Sequence, residues 1–312
     1  MSLTTTHFGV TKNIAVNNVS FADGVLTIET ELFRYNWDFC LKVGNDEYRR
    51  KDMDEEVVEG AEVFDSFGDD YLWYRLYSPK CSGPRPMILF LHGSDECGSD
   101  NLAQIAGEFG PMEFARKYPD FYIMAPQALP AAMPPKSDFA HSDQKPEDKS
   151  GWCRERLAAV CDVIRNMIKE GKIDPSRVYV TGYSMGGAGT LRAMSVGADL
   201  FAAAVSICPS MTPETLGILK GLVHSKIWLA TSYIDHTLYR HKYIVDGIMA
   251  LKDAGNKDAH LTLYSEEDLH AYGIAVDPDL SLADMFAANH SAWVLTYHNE
   301  YGIMNWLTEQ TK

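Results

Sequence analysis

The stretch Gly182-Tyr183-Ser184-Met185-Gly186 places one serine between two glycines, one residue past the apolar run Val178–Val180. A serine hydroxyl is a weak nucleophile until an imidazole takes its proton and a carboxylate fixes that imidazole's tautomer. Such chemistry needs three side chains, and N–H donors where negative charge develops. Small neighbours on both sides of the serine let a chain turn sharply from strand to helix and present the hydroxyl at the bend. The bland alternative is a glycine-rich turn carrying an incidental serine, so the partners have to be found elsewhere in the chain.

A carboxylate follows the run "KIWLATS", as Asp235 in "SYIDH". It suits the acid of a Ser…Asp…His order, and also an N-cap ahead of the following helix-like stretch; the two roles are compatible. The imidazole has to come later in the chain. His236 is adjacent to Asp235, His241 falls in the next helix, His260 precedes a strand and His298 falls inside the last helix-like stretch. His270 in "EEDLHAYG" and His290 in "AANHSAW" remain, and position alone does not separate them. For the developing oxyanion, the backbone N–H of Met185 follows the serine, and that of Ser94 lies in the small-residue loop His92-Gly93-Ser94 after "MILFL". A metal site at Asp95, Glu96, Cys97 and Asp100 is disfavoured, since no His-x-His or Cys-x-x-Cys accompanies them. Tyr183, Trp152, Phe139 and Trp293 are aromatics that could line a substrate pocket, with core packing as the rival role.

Each of these candidates stands just after an apolar run. "MILFLHG", "FYIMAPQ", "RVYVTGYS", "AAAVSICPS", "KIWLATS" and "HLTLYSEED" read as strands of the kind buried on both faces. Helix-like stretches alternate with them, beginning at Asn101, Arg154, Gly186, His241 and Ser291. The pattern predicts an α/β fold, a mostly parallel sheet with helices on both faces. In such sheets the site lies at the carboxyl ends of the strands. Upstream, residues 13 to 50 read as short strands, and Lys51–Glu56 as a solvated charge run. The organisation expected is an N-terminal β-rich extension over 1–60 and a catalytic domain over 61–312.

Composition narrows the function classes. The chain has 312 residues, 46% of them hydrophobic, which supplies a large core. A formal net charge of -15 disfavours nucleic acid and an anionic membrane surface as partners. Six cysteines are scattered without zinc-type spacing and read as free thiols in a reducing compartment. The stretch "MSLTTTHFGVTKN" has no leader pattern and no run of about 20 apolar residues occurs, so the expected location is cytoplasmic. No metal or organic cofactor is expected, and oligomeric state stays open.

Four stretches, "MILFLHGSDECGSDN", "IDPSRVYVTGYSMGGAGT", "SYIDHT" and "NHSAWVLTYHNEYGIMNWL", together resemble the α/β-hydrolase esterases related to prolyl-oligopeptidase-like predicted peptidases and to feruloyl and acetylxylan esterases. The resemblance spans roughly residues 70 to 312. It implies Ser184 as nucleophile, Asp235 as the acid and His290, in His-x-x-Trp, as the base. It implies an ester hydrolase acting on aromatic-acyl or acetyl esters of plant-polysaccharide fragments, a small-molecule or oligosaccharide partner. A serine peptidase on short peptides, or a non-catalytic binding module on the same fold, are the alternatives. Two departures stand out. The family loop often reads Gly-Glu-Arg-Gly where this chain has Asp95-Glu96-Cys97-Gly98, and the segment Ser265–Asn289 is long for a strand-to-histidine loop. Long loops beside a site tend to form lids or pocket walls.

Overall fold

Side chains along Arg85–Leu91 alternate between two cores, and this alternation organises the computed structural model. Met87, Leu89 and Leu91 enter one apolar cluster, and Ile88 and Phe90 the other. A strand with period-2 side chains buried on both faces requires layers above and below it. The structure describes residues 1–7, 10–31, 38–49, 52, 58–69, 71–98, 100–107, 110–129, 151–235, 240–274 and 289–312. Phe139, His236, most of the charge run and most of the 265–289 segment lie outside them.

An eight-stranded sheet carries the candidate site. Its strands are β7 (Phe64–Gly68), β8 (Trp73–Tyr77), β9 (Arg85–Leu91), β10 (Tyr122–Gln127), β11 (Ile173–Tyr183), β12 (Ala203–Ile207), β13 (Ile227–Ser232) and β14 (Ala259–Tyr264). Their order is β14-β13-β12-β11-β9-β10-β8-β7. The strands from β10 to β14 pair in parallel, while β7 and β8 run antiparallel at one edge. From β9 the chain goes to β10 on one side and then to β11 on the other. That reversal opens a crevice at the carboxyl ends of β9 and β11, where ligands bind in open α/β sheets.

Helices cover both faces. One layer holds α3 (Arg154–Lys169), α4 (Met185–Val196), α5 (Pro213–Gly221) and α6 (Arg240–Asp253). In α3, Leu157, Val160, Cys161, Ile164 and Met167 are buried, the i, i+3, i+4, i+7 spacing of one helix face. The other layer holds α2 (Pro111–Lys117), α7 (Glu266–Ala271), α8 (Ala292–Tyr297) and α9 (Ile303–Glu309). A short α1 (Ala103–Ala106) precedes α2. Among the described residues no helix is long and apolar enough to cross a membrane.

Two expectations change. The stretch from Ser291 is not one helix: Asn299, Tyr301 and Gly302 all have φ near +54 to +72°, and this left-handed turn separates α8 from α9. His298 therefore caps the end of α8 and is exposed. Two helices were not expected. Both α5 and α7 start at capping boxes, Thr212 with Thr215 and Ser265 with Asp268, whose side chains satisfy amides that would otherwise be orphaned. The Asp174-Pro175 stretch lies within β11, at a shift of register between Ile173 and Val178.

Upstream, β1 (Ser2–His7), β2 (Val10–Ile14), β5 (Asp38–Val43) and β6 (Asp46–Arg49) form a four-stranded sheet in the order β2-β1-β5-β6. Strands β3 (Val16–Ala22) and β4 (Val25–Thr30) form a hairpin. The expected β-rich character of this region is present.

Candidate active site

Ser184 sits between the last residue of β11 and the first of α4, with φ 55° and ψ −117°. A non-glycine residue there stores strain of about 1–3 kcal/mol, which the surroundings must hold in place. They do so through backbone. The Ser184 N–H donates to the Ile207 carbonyl at 2.9 Å, and its carbonyl accepts from the Ser210 N–H at 3.1 Å. The flanking glycines are obligatory for a different reason. A Cβ on Gly182 would lie 2.4 Å from the Leu91 carbonyl oxygen, and one on Gly186 would lie 1.9 Å from the same oxygen. The end of β9 passes too close for any side chain.

The hydroxyl is the start of a hydrogen-bonded line. His290 Nε2 lies 2.8 Å from Ser184 Oγ, and His290 Nδ1 lies 2.7 Å from Asp235 Oδ2. Asp235 is 1% exposed and His290 7% exposed, so the acid is closed off from solvent while the serine is partly accessible. Asp235 follows the end of β13, where its N–H donates to the Ser232 carbonyl. Helix α6 is described from Arg240, and the N-cap reading of Asp235 falls on residues 236–239, outside the described residues. His290 directly precedes α8. The alternative His270 lies in α7 and is exposed.

The turn after β12 touches two members of this line. Cys208, just past β12, has φ 34°, donates its N–H to the Ala230 carbonyl at 2.7 Å and its thiol to the His290 carbonyl at 3.4 Å. The turn over 207–210 thus holds the backbone of Ser184 and that of His290 together. Sequence reasoning gave Cys208 only the reading of a free thiol. Its place after an apolar run was the available signal.

Met185 opens α4, so its N–H has no acceptor one helical turn back. It is the expected first oxyanion donor, and the macrodipole of α4 favours negative charge at that end. The expected second donor, Ser94, lies in the exposed part of the loop after β9. That loop is pinned around it. His92 is fully buried; its Nδ1 donates to the Gly93 carbonyl at 2.6 Å and its Nε2 accepts the Ala128 N–H at 2.9 Å. Burial pushes its pKa down to about 4, which keeps the ring neutral. Gly93 packs on the Tyr183 ring, where a Cβ would come within 2.6 Å of a ring carbon. The Cys97 thiol contacts the Met185 thioether at 4.0 Å, and burial pushes that thiol up to about 12, out of nucleophile range. Asp100 Oδ1 accepts the N–H groups of Leu102 and Ala103 at the start of α1.

The aromatics divide. Trp152, expected against substrate, is fully buried: its indole donates to the His92 carbonyl at 3.0 Å and its ring fills the space over Gly189. It braces the loop after β9 instead. Tyr183 and Trp293 stack at 4.5 Å and are 3% and 6% exposed, and Trp293 meets the His290 ring at 5.4 Å nearly perpendicular. They wall the histidine from behind. Gln127, another residue that the sequence reading passed over, is buried beneath the loop after β9.

Comparison with known proteins agrees with this architecture. A sequence profile of the prolyl oligopeptidase family matches residues 151–268, the span from α3 through Asp235 into α7. No curated protein matches the chain closely enough to count as a relative. Among solved structures, a thermostable esterase superposes with a TM-score of 0.64 at 22% identity, covering 100% of this chain and 90% of that one. A putative dipeptidyl aminopeptidase IV from Bacteroides ovatus gives 0.53 at 12% identity, over 96% of this chain and 44% of that one. An S-formylglutathione hydrolase from Agrobacterium tumefaciens gives 0.50 at 13%, over 80% and 95%. At these identities the likeness shows the α/β-hydrolase fold, and the family match supports a serine hydrolase.

Proposed function

We propose that this chain is a serine ester hydrolase in which Ser184 is the nucleophile, His290 the base and Asp235 the residue that orients it. The observation carrying the reading is the unbroken line Asp235–His290–Ser184 at the sheet's switch-point crevice, with 2.7 and 2.8 Å links. Ser184 Oγ attacks the ester carbonyl while its proton passes to His290 Nε2. The carbonyl oxygen becomes an oxyanion facing the N–H groups of Met185 and Ser94. The same proton then goes to the departing alkoxide as the ester C–O bond breaks, leaving an acyl-serine. Water, deprotonated by His290, attacks that acyl group, and the acid leaves with Ser184 regenerated. Asp235 accepts the Nδ1 hydrogen bond throughout and stabilises the imidazolium without taking its proton.

For substrate we propose aromatic-acyl or acetyl esters of plant-polysaccharide fragments. The support is the resemblance in motif. Tyr233, two residues before Asp235 and 47% exposed, offers a ring at the end of β13. Cleavage of short peptides is the second reading, favoured by the family match over 151–268. The test is hydrolysis of p-nitrophenyl acetate, methyl ferulate and a peptide anilide by the parent and Ser184→Ala. Ester turnover that falls at least ~10³-fold in the variant supports the proposal. Peptide cleavage without ester turnover gives the second reading. Parent and variant with equal turnover and equal reaction with a fluorophosphonate sink both.

A further inference from the structure

The loop that carries Ser94 is held by one buried carboxamide. Gln127, the last residue of β10, is fully buried, and both polar atoms of its amide are hydrogen-bonded. Its Nε2 donates to the Glu96 carbonyl at 3.1 Å and to Asp100 Oδ1 at 2.8 Å, and its Oε1 accepts the Asn101 N–H at 2.7 Å. The reverse orientation of the amide would set N–H against N–H, so the assignment is fixed by chemistry. The next residue adds a backbone clamp on the same loop: Ala128 N–H to His92 Nε2, and Gly98 N–H to the Ala128 carbonyl at 3.0 Å. Beyond the loop, the Asn101 side chain donates to Ser66 Oγ and to the Phe67 carbonyl, tying the frame to β7. The loop leaves the sheet at His92 and returns at Asp100 and Asn101, and Gln127 spans the return. Ser94 is exposed on this frame.

We propose that Gln127 is a positioning residue for the oxyanion hole: its amide fixes the return of the 92–101 loop so that the Ser94 N–H is aimed before substrate arrives. The inference rests on the functional reading above, with Ser94 and Met185 as donors. Preorganised donors stabilise charge because no reorganisation is needed when it develops. The sequence Asp95-Glu96-Cys97-Gly98 departs from the pattern of the family it resembles, and the clamp acts on the backbone at 96, 98 and 101, so its action does not depend on those side chains.

Two variants test it. Gln127→Met fills the same space with no donor or acceptor. We expect kcat to fall about 10- to 100-fold with KM within about 3-fold, because a displaced donor costs transition-state stabilisation more than ground-state binding. Affinity for a boronic acid, which forms a tetrahedral adduct on the serine, should fall in parallel with kcat. Gln127→Glu sets a carboxyl against the Asp100 carboxylate, and such a pair shares one proton with one raised pKa. The protonated form restores the donor, so the ratio of variant to parent kcat should rise several-fold from pH 8 to pH 6. Melting curves at each pH separate this from unfolding; if the methionine variant does not fold, the glutamate ratio decides. A pH-independent ratio, or unchanged kcat with unchanged boronate affinity, overturns the proposal. Stoichiometric labelling of Ser184 by a fluorophosphonate in the parent keeps the two levels apart. Label with neutral Gln127 variants refutes the positioning role alone; no label removes the functional reading and this proposal with it.

Discussion

Acidification should destabilise this fold through His92, and substituting that residue should remove the effect. In the native state both ring nitrogens are committed. The Nδ1 proton is on the Gly93 carbonyl and the Nε2 lone pair is on the Ala128 N–H. A second proton at Nε2 would face that N–H inside a site with no solvent. Burial accordingly takes the pKa from 6.5 to about 4, and the Glu96 carboxylate 3.9 Å from Nδ1 does not outweigh it. Between those two values the unfolded chain binds a proton that the native chain refuses. The stabilisation is therefore complete above pH 6.5 and lost as pH falls toward 4. At about 1.4 kcal/mol per pH unit, the loss over that window is about 3 kcal/mol, a large share of a typical 5–15 kcal/mol. The assay is urea unfolding of the parent and His92→Gln at pH 7, 6, 5 and 4.5. Gln keeps an acceptor for the Ala128 N–H but does not titrate. The variant should be less stable at pH 7, with a deficit that shrinks by about 2–3 kcal/mol across the series. Every other titrating group is common to both chains, so parallel curves would refute the reasoning.

Three further substitutions concern the site and its scaffold. Asp235→Asn should lower kcat by about 10⁴-fold with the fold retained, because an amide favours the wrong tautomer of His290; circular dichroism and steady-state kinetics on an ester together check it, and a loss below about tenfold would speak against Asp235 as the orienting acid. Gly186→Ala should cost more than about 3 kcal/mol, since the clash at 1.9 Å is with backbone that cannot rotate away. Gly217→Ala, exposed in α5 with nothing within 4 Å of an added Cβ, should instead stabilise by up to about 1 kcal/mol. Calorimetry on the pair reads both signs.

Much of this molecule is written locally. The six apolar runs from Met87 to Tyr264 become β9 to β14, because short apolar runs rich in β-branched and aromatic residues and bounded by turn residues suit strands. Gly182 and Gly186 mark the turn at Ser184, since no other residue fits beside the Leu91 carbonyl. Asp235 and Ser94 are candidates by the same rule, that chemistry gathers where parallel strands end. The breaks were also local signals, but subtler ones: α5 and α7 begin at capping boxes, and α8 ends at a left-handed Asn299.

What the chain could not state was convergence. His270 and His290 both follow the last strand, and the residues alone left the choice open; the motif resemblance favoured His290. In the fold, His290 meets Ser184 across a separation of 106 residues and Asp235 across 55. Those distances follow from the order of β9, β11, β12 and β13 in the sheet, and no local pattern encodes that order. Trp152 looks like a pocket aromatic until the sheet puts it beneath the His92 carbonyl. Gln127 is one polar residue at a strand end until the 92–101 loop folds over it. Periodicity and steric exclusion act between near neighbours, so sequence displays them. Burial and hydrogen-bond partnership act between segments far apart in the chain, and only the packed structure decides them.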